Sequence, residues 1–254
     1  MIHKCEGYVV RSIKYGETNK IITIYSEQIG KVGLMARGAN KPISRLSSLT
    51  QLFTYGSFLF HRSSKGLGTL EQGEIVHSMR DIREDLFLTA YASFFAELLD
   101  KATESNEVNR HLFHLFHSVL TYLNEGIDEE VLMFIYEMKM LYFLGQAPQL
   151  SCCANCGEKE GDYHFSIREG GLICHRCYDI DPYRFKISQK TVQLLRLFFF
   201  MDLARLGKVS LKVETKKELN NVIDEYYNEY TGIYLKSKQF IKQMEKMQGY
   251  MKED

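Results

Sequence analysis

The spacing of apolar and polar positions changes character along this chain, and the change marks its architecture. Through the first eighty residues the pattern is short and β-like. Tyr8, Val9 and Val10 form an apolar run within residues 3–13. Ile21, Ile22, Thr23, Ile24 and Tyr25 make a β-branched stretch within 20–25, and 31–36 follows the turn residue Gly30. Residues 52–61 carry Phe53, Tyr55, Phe58 and Phe60, and 67–77 carry Leu70, Ile75 and Val76. Five short strands broken by Gly16, Gly30, Gly38 and Gly66/Gly68 predict a small β-barrel. Strand number and segment size suit an OB-fold, although strand number alone leaves an SH3-like barrel open.

After Arg80 the period lengthens to about 3.6. Ile82, Leu86, Ala90, Phe94 and Leu98 recur every four residues, with Tyr91, Phe95 and Leu99 beside them, and read as a first helix. Val108, Leu112, Phe116, Val119 and Leu123 form a second stripe, closed by Gly126. A third helix is expected to begin at Asp128, an N-cap followed by Glu129 and Glu130 at the positive end of the dipole, and to stop at Gly145 before Pro148. Helical spacing returns from Ser188 with Val192, Leu195, Phe199 and Leu203, then Leu219, Val222, Ile223 and Tyr226. A last amphipathic helix carries Phe240, Ile241 and Met244. These Met and aromatic stripes are most simply core packing. The expected plan is a multidomain α+β chain: a five-stranded OB-fold barrel over 1–80, a helical domain in two parts (81–149 and 183–254), and a cysteine module inserted at 150–182.

That module holds the most specific chemistry. Cys153 and Cys156, then seventeen residues (157–173), then Cys174 and Cys177 have the spacing of a four-thiolate zinc site. Two intervening residues let one tight turn aim both sulfurs at one ion, and Gly157 stands where that turn needs positive φ. Tyr163 to Ile167 and Leu172 to Cys174, joined by Gly170-Gly171, read as a hairpin in the manner of a zinc ribbon. A closed set of four thiolates is structural and leaves no position for activating water. Disulfides are the competing reading. The N-terminus shows no secretory pattern, so the chain is expected to stay in the cytosol, where thiols remain reduced. Two matched pairs also favour a metal over a single redox pair. Cys152 has the wrong spacing and is read as a spare neighbour, Cys5 as a buried strand residue, and His164 and His175 as non-ligands.

Net charge is zero, yet it is segregated. Residues 1–80 hold eleven Lys/Arg against five acids, whereas 81–150 hold four against twelve. A basic first segment beside an acidic second one suggests that the first meets a polyanion, unless the two merely complement each other. Arg37, Lys41 and Arg45 recur every four residues across a Gly/Asn/Pro/Ser loop; if extended, it would carry them along a groove. Lys31 enters the same region from the preceding strand, and Arg11, Lys14 and Lys20 flank the first turn. The alternative is that all are solvated surface charges. The barrel aromatics Tyr8, Tyr15, Tyr25, Phe53, Tyr55, Phe58 and Phe60 offer stacking surfaces, although alternation should bury about half of them. There is no G-x-x-x-x-G-K-S/T, G-x-S-x-G or HExxH motif. Glu129/Glu130 and Asp179/Asp181 are better explained by a helix N-terminus and a polar loop than by a nuclease metal pair. No apolar run reaches the ~18 residues that span a bilayer.

Several stretches taken in order carry a likeness. They are Gly7-Tyr8-Val9-Val10-Arg11, Tyr15-Gly16-Glu17, Gly30-Lys31, and Arg37-Gly38-Ala39-Asn40-Lys41-Pro42 with Ser47 or Ser48 after it. Leu52-Phe53 and Leu70-x-x-x-Glu74 follow, then Leu144-Gly145 through Pro148 to Cys153-Ala-Asn-Cys156-Gly157, completed by Cys174 and Cys177. With them the chain resembles, over essentially its whole length, the RecO family of bacterial DNA repair proteins. Some members lack the four cysteines; this chain keeps all four. The resemblance implies an N-terminal OB-fold, a helical domain and a zinc finger. It implies binding of single- and double-stranded DNA without marked sequence preference and annealing of complementary strands. It also implies partnership with RecR and the single-strand DNA-binding protein, and thereby help in loading the RecA recombinase. The competing expectation is an adaptor that works through its helical domain, with DNA contact incidental.

Overall fold

A computed structural model of the chain describes residues 1–62, 66–207 and 209–251. Strands β1 (Ile2–Tyr15), β2 (Asn19–Ser26) and β3 (Gly30–Ala36) run antiparallel in succession. A short helix, α1 (Arg45–Leu49), precedes β4 (Tyr55–His61) and β5 (Gly68–His77). The strands close in the order β1-β2-β3-β5-β4, β4 pairing back onto β1 and β3 meeting β5 in parallel. This is the closed five-stranded barrel of an OB-fold. Cys5, Val9, Ile22, Ile24, Leu34, Phe58, Phe60 and Leu70 fill its interior. A register shift between Val9 and Arg11 re-phases the distal half of β1 against β2.

Five of the seven barrel aromatics are buried, more than simple alternation predicts; Tyr15 is exposed and Tyr55 half-buried. The reason is a second apolar layer outside the barrel. Tyr8 and Tyr25 face away from the interior, and α4 (Arg110–Asn124) covers them: Tyr8 meets Phe116 edge-on at 5.6 Å, and Tyr25 lies 6.0 Å from Phe113. Glycine permits one further close approach. At Gly30 (φ 67°) a Cβ would lie 2.1 Å from the carbonyl oxygen of Glu107, so β3 starts hard against the 103–109 connection.

The first helical stripe is two helices, α2 (Arg80–Glu84) and α3 (Leu86–Ala102). Asp85 leaves helical geometry (φ −108°, ψ 126°), and its carboxylate accepts from the N–H groups of Phe87 and Leu88. The chain is thereby recapped in mid-stripe. Asp128 caps α5 (Glu129–Phe143) through the N–H of Val131, as its position predicts. Then come β6 (Tyr163–Ser166), β7 (Gly171–Cys174), a 3-10 helix (His175–Ile180), α6 (Gln189–Phe200), α7 (Val213–Tyr230) and α8 (Lys236–Met251).

Two compact units result: Met1–Glu125 with Leu235–Asp254, and Gly126–Tyr234. In the first, α8 packs on α3 beside the barrel. The Glu97 carboxylate of α3 accepts from the N–H groups of Lys236 (3.1 Å) and Ser237 (2.8 Å) in the first turn of α8. In the second, α5, α6 and α7 pack together with the cysteine module. Lys216 of α7 pairs there with Asp128 (2.8 Å) and Glu130. Among the described residues no helix is long and apolar enough to cross a membrane.

Candidate metal centre and nucleic-acid interface

In the second unit, β7 pairs antiparallel with β6, and the chain ahead of the first cysteine pair lies against β7 through Gln149 and Leu172 (2.9 Å). The N–H of Ala154 donates to Leu172 O (2.7 Å), seating the first cysteine turn. Gly157, at φ 75°, closes that turn by returning its N–H to Cys153 O (2.9 Å). Each pair is thus delivered from one side of a hairpin. The sulfurs of Cys153, Cys156, Cys174 and Cys177 all lie within 4.8 Å of one another, and Cys156 and Cys174 are 3.6 Å apart. A tetrahedron with ~2.3 Å metal–sulfur bonds has edges of about 3.8 Å. The four cysteines are therefore positioned to bind one metal ion.

The electrostatics agree. The N–H of Cys174 donates to Cys153 Sγ, and Asn155 Nδ2 donates to Cys177 Sγ, each at 3.3 Å. Burial raises the Cys153 thiol, but the N–H groups around it, led by that of Cys156, outweigh burial and bring it down to about 6. Burial pushes its neighbour Cys174 up to about 12. Four sulfurs in one cage cannot all ionise against each other, and a divalent cation is the charge that removes the conflict. Cys152 lies outside the cluster. His164 lies flat on Tyr178 (4.1 Å) and accepts from Arg184 Nε (3.1 Å). His175 is exposed. Cys5 sits in the barrel interior, its thiol raised to about 11 by burial.

The predicted DNA contacts lie in the first unit. Arg37, Lys41 and Arg45 are all exposed, but their connection is not extended. It is a compact run of turns: Lys41 N–H bonds Gly38 O (3.1 Å), and Ser44 caps α1, whose first residue is Arg45. Asn40 N–H reaches Thr18 O (2.8 Å), and Asn19 Oδ1 accepts from Gly38 N–H (2.9 Å), tying the run to the β1–β2 turn. Lys14 and Lys20 stand directly opposite each other on those two strands, and Lys20 also pairs with Ala36, the residue before Arg37. The structure therefore brings Lys14, Lys20, Arg37 and Lys41 to neighbouring segments, with Arg45 one short step on and exposed Arg11 three residues back along β1.

Lys31 is not among them. Its ammonium turns inward to Asp100 Oδ1 (2.8 Å), Asp100 O (2.6 Å) and Thr103 O (2.7 Å), closing the last carbonyls of α3. Its partners are about seventy residues away in sequence, and no local pattern announces them. Sequence reasoning passed over Arg83, which lines a cleft with Lys14 and Lys20. It sits in an acidic neighbourhood (Asp81, Glu84, Asp85), which hides it from any count of charge along the chain.

Cations gathered beside a closed OB barrel, and a four-thiol module placed to bind a metal ion, define an OB-barrel protein with a metal-binding ribbon. Comparison with known proteins narrows the class. The family model described as "Recombination protein O N terminal" matches residues 1–79, and "Recombination protein O C terminal" matches 83–239. "DNA repair protein RecO" of Bacillus subtilis (strain 168) is 56% identical over 254 residues, covering 100% of this chain and 99% of the relative. The protein of that name from Bacillus velezensis is 56% identical over the same shares, and that from Bacillus pumilus is 54% identical over 251 residues, 99% of this chain and 98% of the relative. The chain belongs to the RecO family of DNA repair proteins.

Proposed function

We propose that this chain is a non-enzymatic recombination mediator of DNA repair. It binds single- and double-stranded DNA without sequence preference, anneals complementary strands and helps load a recombinase onto protein-coated single strands. What supports this most is the exposed Arg37/Lys41/Arg45 run tied to the Lys14/Lys20 turn of an OB barrel, in a chain of the RecO family. Annealing needs no catalytic residue. Phosphate charge keeps two strands apart, and a cationic surface that screens it while leaving base edges free accelerates pairing. Each neutralised phosphate steepens the fall of log K with log salt by about 0.9 on duplex and about 0.7 on single strands. Arg37, Lys41, Arg45, Arg11, Lys14 and Lys20 are the proposed contacts; Lys31 is committed to α3.

The ion is proposed to be a single zinc held by Cys153, Cys156, Cys174 and Cys177, since four thiolates in a tetrahedral cage suit its size and softness. Its part would be to hold the ribbon together. RecR, the single-strand DNA-binding protein and, indirectly, the RecA recombinase are the proposed partners, met at the nucleoid in the cytoplasm. The test is annealing of complementary strands followed by fluorescence. Wild type should exceed the uncatalysed rate, and charge reversal at Arg37, Lys41 and Arg45 should abolish the gain while partner binding persists. Equal annealing by the reversed variant would favour the adaptor reading, which the exposed Leu197 and Phe200 on α6 keep in view.

A further inference from the structure

A cleft of about 410 Å³ opens in the first unit where β1, β2, the 50–54 connection and helices α2 and α3 meet. Three cations line it, Lys14, Lys20 and Arg83, with Phe53 among its apolar residues and no carboxylate in its lining. Lys14 and Lys20 are direct cross-strand partners, and like charges so placed weaken a ladder unless an anion lies between them. Among the described residues neither lysine has a carboxylate within ion-pair distance. Burial holds the Lys20 ammonium and the Arg83 guanidinium below their usual ranges. Lys20 stands there without a compensating charge, and at Arg83 burial outweighs the relief that the nearby Glu84 carboxylate gives.

Arg83 is held in place through Nη1, which donates to Ser78 O and, at 3.5 Å, to Leu52 O. Among the described hydrogen bonds its other guanidinium nitrogens are not engaged. The neighbouring wall is strained. Phe53 is a buried aromatic at φ 66°, where bulky side chains are rarely found, pinned there by its N–H on Val9 O (2.8 Å). Strain of this kind gathers at binding sites.

We propose that this cleft seats a phosphate ester of single-stranded DNA, with Lys14, Lys20 and Arg83 as its contacts. A guanidinium fork and two ammonium groups, all donors and none an acceptor, select an oxyanion such as a backbone phosphodiester over a neutral ligand. The inference rests on the DNA-binding reading and adds to it a defined pocket and a residue, Arg83, from outside the barrel strands. It makes the end of the barrel a fixed point where one phosphate is gripped, while the exposed Arg37/Lys41/Arg45 run offers looser contacts beyond it.

The test measures binding of the full chain to a fluorescent oligo-dT across a salt series, for wild type, Lys14→Gln, Lys20→Gln, Arg83→Gln and the Arg37/Lys41/Arg45 charge reversal. Lys20→Gln and Arg83→Gln should each weaken binding about tenfold and flatten the salt slope by about 0.7. Because Arg83 also holds Ser78 and Leu52, circular dichroism and Arg83→Lys accompany it; the lysine variant should recover the slope. Inorganic phosphate separates the sources. If it displaces the oligonucleotide from wild type but not from Lys20→Gln, the cleft takes any phosphate. If it displaces nothing while the variants stay weak, the cleft needs the polymer. Variants that bind like wild type with unchanged slope, while the charge reversal weakens binding, overturn the cleft and leave the DNA-binding reading standing. Wild type that fails to bind the oligonucleotide overturns that reading and, with it, a DNA phosphate in the cleft.

Discussion

At the scale of single residues, the sulfur cage and the carboxylates that close helix ends make the sharpest claims. Cys174→Ser removes a buried member of the cage. It should lose the metal, read by elemental analysis as a fall from one ion per chain, and lower the unfolding temperature because a structural metal contributes folding free energy. Glu97 is a second case. Burial alone would raise its carboxyl, but the hydroxyl and N–H of Ser237 and the N–H of Lys236 outweigh burial and hold it below the usual carboxylate range. The stability it contributes is therefore fully present above about pH 4.3 and is lost as pH falls through the depressed value. Glu97→Gln should cost about 1 kcal/mol at neutral pH and flatten the acid limb of the stability curve, measured by urea unfolding at several pH values.

At the scale of elements, backbone geometry rather than side-chain chemistry decides the outcome. Gly30→Ala pushes a methyl group toward the carbonyl of Glu107 and places alanine at positive φ, so it should destabilise by about 2–3 kcal/mol, seen as a lower denaturant midpoint. This scale also shows what the sequence made legible. The five strands, the Asp128 cap and each of the two C-x2-C pairs were all readable, because each is specified by residues within a few positions of one another. The recapping at Asp85 was obscured because Ile82 and Leu86 keep one stripe across it. The turn-rich path of residues 37–45 was missed because it depends on Asn40 and Gly38 finding Thr18 and Asn19 on a different connection. Lys31, read as a DNA contact, belongs to α3 for the same reason: its acceptors are distant in sequence and close only in the folded unit.

At the scale of the whole molecule, the two compact units predict two separable responses. Stripping the metal with a chelator should raise amide hydrogen exchange within Gly126–Tyr234, above all from residue 149 to 185. The barrel strands should keep their protection, since no sulfur of the cage lies in the first unit. Uniform loss of protection in both would mean that the ion supports the entire chain.

The return of α8 to α3 sets a timetable for biosynthesis. The unit that begins with Met1 receives its closing helix from Leu235 onward, after the ribosome has translated everything between. Until then the nascent barrel waits with Tyr91 and Phe94, which meet Glu245 and Lys238 of that helix, on an incompletely covered α3, a surface for chaperones to guard. Transcripts interrupted before codon 235 should accordingly yield chains that proteases clear, however intact their first hundred residues.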